Sequence, residues 1–302
     1  MPPSSFHRPG GILAALFALS LALPAFAGTP TFQPLHSPPT GEQHPGKFVW
    51  ADLFTTDPVA ATKFYSGLFG WTANTIDQGG KAYTVFSNGK RPVAGLAPRN
   101  TANKKRGSRW ISYIAVSDLN ATVSLVSSAG GQVRAPARDF PDRGMQAILT
   151  DNEGSPVGLL QSRSGDSRDD EPQPGDWQWF ELYAKQPKAA TDFYAHVLHY
   201  AVIPDRRTER KNDWLLLTGD SHRAGVAPMP ENEDAAPGWL GVVRIRNMDE
   251  MLARVTKLGG EVLVNPRAAA YESRFAIIAD STGGTVGLVE YVENNSNSVV
   301  HP

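Results

Sequence analysis

The chain has 302 residues, 41% of them hydrophobic and 20% charged, which is enough for two globular domains with ordinary cores. Its 29 basic and 30 acidic side chains give a net charge of −1, so it lacks the basic surface of a nucleic-acid-binding protein and a polybasic signal for anionic membranes. It contains no cysteine, which excludes disulfides, thiolate nucleophiles and cysteine-based zinc sites.

The N-terminus has the features of a secretory signal peptide. Arg8 lies in a modestly basic start, residues 12–23 are almost entirely apolar, and Ala25-Phe26-Ala27 matches the small-x-small cleavage pattern. The apolar run is too short to span a bilayer as a helix. We therefore expect residues 1–27 to be removed, leaving a periplasmic or secreted protein that begins at Gly28 and has no membrane attachment. An uncleaved anchor or a misplaced start codon is the alternative.

Composition divides the rest of the chain. Residues 28–46 contain five prolines and are expected to form a loose tail, as are residues 293–302. Residues 162–175 are rich in Ser, Asp, Pro and Gly, which is typical of a linker. The two remaining segments, 47–161 and 176–292, are the predicted domains.

An internal repeat relates these two domains. With a shift of 129 residues, segment 47–54 (KFVWADLF) aligns with 176–183 (DWQWFELY), and segment 58–65 (PVAATKFY) aligns with 187–194 (PKAATDFY). The same shift superimposes further residues in the same order: Trp110 on Trp239, Gly130 on Gly259, Asp151 on Asp280 and Gly158 on Gly287. A constant offset through both segments indicates a duplicated domain.

Each copy is predicted to contain the order β-α-β-β-β twice. In the first copy, residues 48–55 alternate as a strand does, and Asp57 with Pro58 opens a helix that ends at Gly70. Short strands follow the helix. The pattern then restarts with a strand over residues 110–116 and a second helix, followed by three more strands.

Two motifs resemble those of a known family. The run Phe64-Tyr65-x-x-Leu-Phe-Gly-Trp ends the first helix as it does in glyoxalase-like domains, and Asp151-x-x-Gly-x-x-x-Gly-Leu, with its copy at Asp280, is similar to their last-strand motif. The resemblance is to the glyoxalase / bleomycin-resistance / dioxygenase (vicinal oxygen chelate, VOC) superfamily and covers residues 48–161 and 177–291. It implies an α+β fold of two tandem VOC domains, each a pair of βαβββ modules forming a half-barrel with a cleft. Two such domains can pair within one chain, so a monomer is possible.

In enzymes of that superfamily the cleft holds a divalent metal ion through His, Gln or Glu, one from each of four strands. The corresponding positions here are Trp50, Ala94-Gly95, Ile111 and Gly158 in the first copy, and Trp179, Ala224-Gly225, Leu240 and Gly287 in the second. None of these side chains can ligate a metal ion. We therefore expect no metal and no other cofactor. The resemblance to lactoylglutathione lyase-related proteins leaves open whether the chain is an enzyme, and no catalytic residue is assigned.

Five residues are candidates for binding a small molecule: Trp50, Asp52, Tyr113, Trp179 and Glu181. Each first strand places an indole beside a carboxylate on the face that the resemblance turns into the cleft, and this combination is typical of small-molecule pockets. Asp52 and Glu181 can accept hydrogen bonds from a cationic or hydroxylated ligand, or act as a general base. The alternative is that both carboxylates stabilise the fold and that Tyr113 packs in the core.

Three functions remain open from the sequence. The leading one is an exported, metal-independent protein that binds a small molecule in its clefts. The second is a lyase-like or dioxygenase-like enzyme with a non-standard site at Asp52 or Glu181. The third is a protein-interaction module whose clefts are filled by its own side chains. An open cleft favours the first two, and a filled one favours the third.

Overall fold

The computed structural model describes residues 32–77, 82–102, 107–207, 212–229, 236–269 and 273–291. Over these residues the chain forms two mixed sheets of eight strands each, with two helices accompanying each sheet. No helix in these ranges is long and apolar enough to cross a membrane. The predicted signal peptide (1–27) and the C-terminal tail (293–302) lie outside the described residues.

Domain 1 is the first copy. Its elements are β1 (Phe48–Thr55), α1 (Pro58–Phe69), β2 (Thr72–Asp77), β3 (Ala82–Asn88), β4 (Arg91–Pro98), β5 (Arg109–Ala115), α2 (Leu119–Val126), β6 (Gln132–Phe140), β7 (Gly144–Thr150) and β8 (Pro156–Ser162). The strand order in the sheet is β2-β3-β4-β1-β5-β8-β7-β6. Strand β1 pairs parallel with β4 and antiparallel with β5, so the two βαβββ modules join at the centre of the sheet.

Domain 2 repeats this arrangement. Its elements are β9 (Trp177–Ala184), α3 (Pro187–Leu198), β10 (Ala201–Pro204), β11 (Trp214–Thr218), β12 (Ser221–Pro228), β13 (Gly238–Ile245), α4 (Met248–Lys257), β14 (Glu261–Ala269), β15 (Ser273–Ala279) and β16 (Thr285–Tyr291). The sheet order β10-β11-β12-β9-β13-β16-β15-β14 matches that of domain 1 strand for strand. The predicted α+β fold of two tandem copies, each with the order β-α-β-β-β twice, is confirmed.

Local sequence explains where the first helix begins and ends. The side chain of Asp57 accepts a hydrogen bond from the backbone N–H of Ala60 over 3.0 Å, and Pro58 occupies the first helical position, where its missing N–H costs nothing. Gly70 ends the helix with φ of 74°, a left-handed conformation that favours glycine. These signals were all visible in the sequence.

The helices pack between the two sheets. Ala51 and Leu53 of β1 share a core with α1 and with Val255 of α4 in the other domain. A second core joins Val126 of α2 to Phe193 of α3. Because both cores contain side chains from both domains, the helical faces of the two sheets are buried against each other. The opposite faces of the sheets point away from this interface and carry the clefts.

Residues 32–46, which we call the N-terminal arm, correct one expectation. We expected a loose tail, but the Leu35 side chain is only 2% exposed and packs in a cluster with Trp50 on the concave face of domain 1. Farther along, the backbone N–H of Thr40 donates to the carbonyl of Ser164 over 2.9 Å. The prolines made the segment look unstructured, but its apolar side chains have a surface on which to pack. Residues 28–31 lie outside the described residues.

Candidate functional site

The concave face of each sheet brings the predicted site residues together in two separate groups. In domain 1, strand register places Trp50 opposite Tyr113, and Asp52 opposite both Gly95 and Ile111. We call the concave face around Trp50, Asp52 and Tyr113 cleft 1. Trp50 and Asp52 lie on the same face of the sheet, as predicted, because side chains alternate between the two faces along β1.

Domain 2 has the corresponding arrangement. Glu181 lies opposite Gly225 and Leu240, and Trp179 lies opposite Val242. We call the concave face around these five residues cleft 2. Each cleft therefore contains one Trp–carboxylate pair, and the two pairs lie in different domains.

The glycines at the family's metal-ligand positions make room for neighbouring side chains. A Cβ atom on Gly95 would lie 1.9 Å from the Tyr83 hydroxyl and 2.1 Å from Asp52 Oδ1. A Cβ atom on Gly158 would lie 2.2 Å from the ring of Tyr113. In cleft 1 the space near these positions is thus taken by a carboxylate and two phenol rings.

The residues of the two clefts do not fit the divalent metal ion that the fold family implies. At the centre of each sheet, glycine, indole and aliphatic side chains supply no donor atoms. Among the described residues, no group of three or more His, Asp or Glu side chains is placed to hold a metal ion. The central strand of each sheet carries one carboxylate into its cleft, Asp52 from β1 in one and Glu181 from β9 in the other.

Asp52 is the acceptor at the centre of a buried hydrogen-bond cluster. Its Oδ1 accepts from Trp50 Nε1 over 2.8 Å and from the Tyr83 hydroxyl over 2.7 Å. Burial raises the pKa of Asp52, and the hydrogen bond from Tyr83 and the positive charge of Arg143 oppose that rise. Burial also raises the pKa values of Tyr83 and Tyr113 well above the usual value, so both phenols stay neutral.

Cleft 1 is filled. The side chain of Arg143 is 1% exposed, with its guanidinium carbon 4.3 Å from the centre of the Trp50 ring. Trp50 and Tyr113 are each 3% exposed. For this domain the filled cleft of the third hypothesis is what the structure shows. Sequence reasoning did not identify Tyr83 or Arg143, because neither lies at a position that the repeat or the family motif marks.

Cleft 2 keeps the same pair of groups but is accessible. Trp179 Nε1 donates to Glu181 Oε2 over 2.8 Å, as Trp50 does to Asp52. Both Trp179 and Glu181 are partly exposed to solvent. The guanidinium of Arg207 lies 5.5 Å from the centre of the Trp179 ring and is held by an ion pair of 2.8 Å with Asp205.

Two substitutions between the copies account for much of the difference. Tyr83 of domain 1 corresponds to Asp213 of domain 2. Each lies two residues before the residue that pairs with the central glycine, Gly95 in one sheet and Gly225 in the other. Tyr113 is likewise replaced by the smaller Val242. Cleft 2 thus lacks both phenol rings that fill cleft 1.

A separate pocket of about 500 Å³ lies between the domains, where α1 ends and α4 begins. Two of the arginines that line it are already paired, Arg244 with Glu171 over 2.7 Å and Arg254 with Glu250 over 2.5 Å. The pocket contains none of the predicted site residues. We therefore place the candidate site in cleft 2.

Comparisons with known proteins bear on this site. A sequence model described as the Glyoxalase/Bleomycin resistance protein/Dioxygenase superfamily matches residues 47–159. CFP32 of Mycobacterium tuberculosis, whose name assigns it provisionally to the glyoxylases, is 32% identical over 259 residues, which are 84% of this chain and 98% of that protein. The anthracycline biosynthesis protein DnrV of Streptomyces peucetius is 30% identical over 262 residues, 82% of this chain and 94% of that protein.

Two solved structures share the fold. The Mn(II)-bound glyoxalase from Novosphingobium aromaticivorans matches with a TM-score of 0.56 and 16% identity, covering 82% of this chain and 83% of that one. The dioxygenase LapB from Pseudomonas sp. KL28 matches with a TM-score of 0.57 and 12% identity, covering 83% of this chain and 93% of that one. At such identities the likeness concerns the fold alone.

Proposed function

Because this chain belongs to the glyoxalase/bleomycin resistance protein/dioxygenase superfamily, we propose that it binds an aromatic small molecule in cleft 2, without a metal ion. The observation that carries the proposal is the contrast between two copies of one Trp–carboxylate pair. In cleft 1, Trp50 and Asp52 are 3% and 7% exposed and surrounded by protein, whereas in cleft 2 Trp179 and Glu181 are partly exposed. Only the second pair can meet a ligand without rearrangement.

The side chains of cleft 2 define the chemistry of the ligand. The indole of Trp179 offers a flat face for stacking, and a guanidinium, that of Arg207, already lies over it. Glu181 can accept a hydrogen bond from an amine or hydroxyl. Buried Leu240 and Val242 supply the apolar wall that such pockets normally have. We infer an aromatic ligand that carries an amine or a hydroxyl group.

The name of one relative is consistent with an aromatic ligand. DnrV is named for anthracycline biosynthesis, and anthracyclines are planar aromatic compounds. They are therefore a suitable first class of natural compounds to screen. Export of the protein, with a mature start at Gly28, is part of the same proposal and is supported by the composition of residues 1–27.

The two carboxylates differ in whether a substrate could reach them, which bears on the alternative that the protein is an enzyme. Asp52 is 7% exposed and already accepts two hydrogen bonds, so it has no route to a substrate in this conformation. Glu181 is accessible, but among the described residues no group of three or more His, Asp or Glu side chains is placed to hold a metal ion beside it. Binding is therefore the function we propose.

Matched probes test the proposal. Benzylamine, benzyl alcohol and benzoate share one ring and differ in charge, and their binding can be followed by ligand-observed NMR and by quenching of Trp fluorescence. We expect benzylamine to bind most tightly and benzoate least, with no effect of EDTA. The substitution Glu181→Gln should weaken benzylamine binding by about tenfold, the loss of one charge-assisted contact, while changing benzyl alcohol binding little.

A control variant distinguishes the two clefts. Asp52→Asn removes the equivalent carboxylate from cleft 1 and should leave benzylamine binding unchanged. If Asp52→Asn weakens benzylamine binding as much as Glu181→Gln does, the assignment to cleft 2 is wrong. If purified protein contains a stoichiometric transition metal whose removal abolishes binding, the metal-independent proposal fails.

A further inference from the structure

The tip of the N-terminal arm enters cleft 1. The ring of Phe32 packs edge-on against Tyr83, with ring centres 4.6 Å apart, and against Phe140, at 4.8 Å. Leu35 is buried in the same cluster. Between them the side chain of Gln33 is exposed, while its backbone carbonyl points inward. The tip thus presents an aromatic ring, a carbonyl and an aliphatic group to the cleft.

Arg143 is the hydrogen-bond donor to this carbonyl. Its Nε donates to the carbonyl oxygen of Gln33 over 2.6 Å, and its guanidinium lies on the face of Trp50. A guanidinium that is almost wholly buried needs hydrogen-bond acceptors, and the arm supplies one. Aromatic walls around a single directed donor are the composition of a ligand site.

The duplication shows that the arm is not part of the repeated fold. The repeat offset of 129 places residues 161–164 where the tip residues 32–35 would be. Those residues do not enter cleft 2; instead Ser164 binds the arm itself through its backbone carbonyl. Within the described part of the chain, domain 2 therefore completes the same eight-stranded sheet without an equivalent of the tip. In domain 1 the tip is an added occupant of a cleft that the fold forms without it.

The rest of the arm is anchored outside the cleft. The backbone N–H of His36 donates to Ser164 Oγ over 3.1 Å, and that of His44 donates to Asp166 Oδ2 over 2.7 Å. These contacts are made to the linker, and the tip lies on the other side of His36. These anchor contacts do not involve the side chains of Phe32 or Leu35, so a tip that left the cleft would stay at a high effective concentration next to it.

From these contacts we propose that cleft 1 is a second binding site, specific for an aromatic group with an adjacent carbonyl, and that the arm tip occupies it in cis. A free ligand of this class competes with Phe32 and Leu35 for the cleft. This inference does not depend on ligand binding in cleft 2, because the group that meets the ligand differs between the two sites. In cleft 2 it is the partly exposed carboxylate of Glu181, and in cleft 1 it is Nε of Arg143, which the departing tip releases; the carboxylate of Asp52 already accepts from Trp50 and Tyr83.

The test uses the full mature chain with two substitutions in the tip, Phe32→Ala and Leu35→Ala, and N-acetyl-phenylalanine amide as the probe. The probe has the ring and carbonyls that the tip presents. We expect it to bind this double variant at least about tenfold more tightly than the unsubstituted protein, because an intramolecular competitor has been removed. Adding Arg143→Gln should return the affinity to the low level of the unsubstituted protein.

Further measurements make the result decisive. Benzylamine, the probe for cleft 2, should bind the double variant and the unsubstituted protein equally, so a failure of one proposal is distinguishable from a failure of the other. If the double variant unfolds, the single substitution Phe32→Ala, at a partly exposed ring, takes its place in the same titration. If a folded variant binds the probe no more tightly than the unsubstituted protein does, the tip is only part of the core. The same conclusion follows if the gain in probe affinity persists after Arg143→Gln.

Discussion

Tyr194 of domain 2 donates a hydrogen bond from its hydroxyl to Asp151 Oδ2 of domain 1, over 3.1 Å. The same hydroxyl accepts a hydrogen bond from Trp239 Nε1 over 2.7 Å. Burial raises the pKa of Tyr194 far above its usual value and also raises that of Asp151. A buried chain of donor, hydroxyl and carboxylate therefore crosses the interface between the domains.

Because the domain is duplicated, a corresponding contact joins a tyrosine of domain 1 to domain 2. Trp110 Nε1 donates to the Tyr65 hydroxyl over 3.0 Å, and that hydroxyl donates to the carbonyl of Gly284 in domain 2 over 3.3 Å, close to Asp280. The motifs by which the sequence resembles its family, the Phe-Tyr pair of the first helix and the aspartate before the last strand, thus hold the two domains together.

The first prediction concerns this interface. Tyr194→Phe should lower the free energy of unfolding by about 1–3 kcal/mol, because it leaves Asp151 Oδ2 and Trp239 Nε1 without their common buried partner. Urea denaturation followed by far-UV circular dichroism measures the change. Tyr65→Phe is the matched variant and should cost less, since the contact from its hydroxyl to domain 2 is longer. Equal stability of Tyr194→Phe and the unsubstituted protein would contradict the structural role.

The second prediction compares two equivalent glycines. Gly95→Ala should destabilise the fold by about 1–3 kcal/mol, because the new methyl group meets Tyr83 and Asp52 inside a filled cleft. In Gly225→Ala the nearest atoms all belong to the side-chain carboxylate of Glu181, which is partly exposed and can shift toward solvent. We expect less than about 1 kcal/mol of destabilisation there, with weaker benzylamine binding. Thermal melts and the probe titration of both variants decide the point; equal losses of stability would refute it.

The third prediction concerns pH. Burial raises the pKa of Asp52, so the carboxyl group of this residue binds a proton more tightly in the folded protein than in the unfolded chain. The resulting stability is fully present below the unfolded pKa of about 3.9 and is lost as the pH rises through the higher pKa of the folded state. Asp52→Asn keeps an acceptor for Trp50 and Tyr83 but has no charge. Its free energy of unfolding should therefore decline less over this pH range, and parallel profiles for the two proteins would disprove the assignment.

The fourth prediction concerns export. If the signal peptide is cleaved after Ala27, N-terminal sequencing of the exported protein should read Gly-Thr-Pro-Thr-Phe, which makes Phe32 the fifth residue of the mature chain. Replacing Ala27 with a large charged residue should block cleavage and leave a precursor longer by 27 residues, detectable by mass spectrometry. Recovery of an intact N-terminus from the unsubstituted protein would exclude the predicted processing.

The order of the elements and the duplication followed from the sequence alone. Asp57, Pro58 and Gly70 mark the ends of the first helix through contacts with their near neighbours, and the pairing of Trp50 with Asp52 on one face follows from strand alternation. The repeat required only that the chain be compared with itself. Local rules of this kind depend on residues a few positions apart, so they can be read without a structure.

Only the tertiary structure decided which cleft is open. Trp50 with Asp52 and Trp179 with Glu181 are equivalent in sequence, yet the first pair is buried under Arg143 and the N-terminal arm. These groups reach cleft 1 from distant parts of the chain, and no periodicity or spacing records their approach. Burial depends on every atom that comes near a side chain, whatever its position in the sequence. For that reason two copies of one motif can have different access to solvent and, as we propose, different ligands.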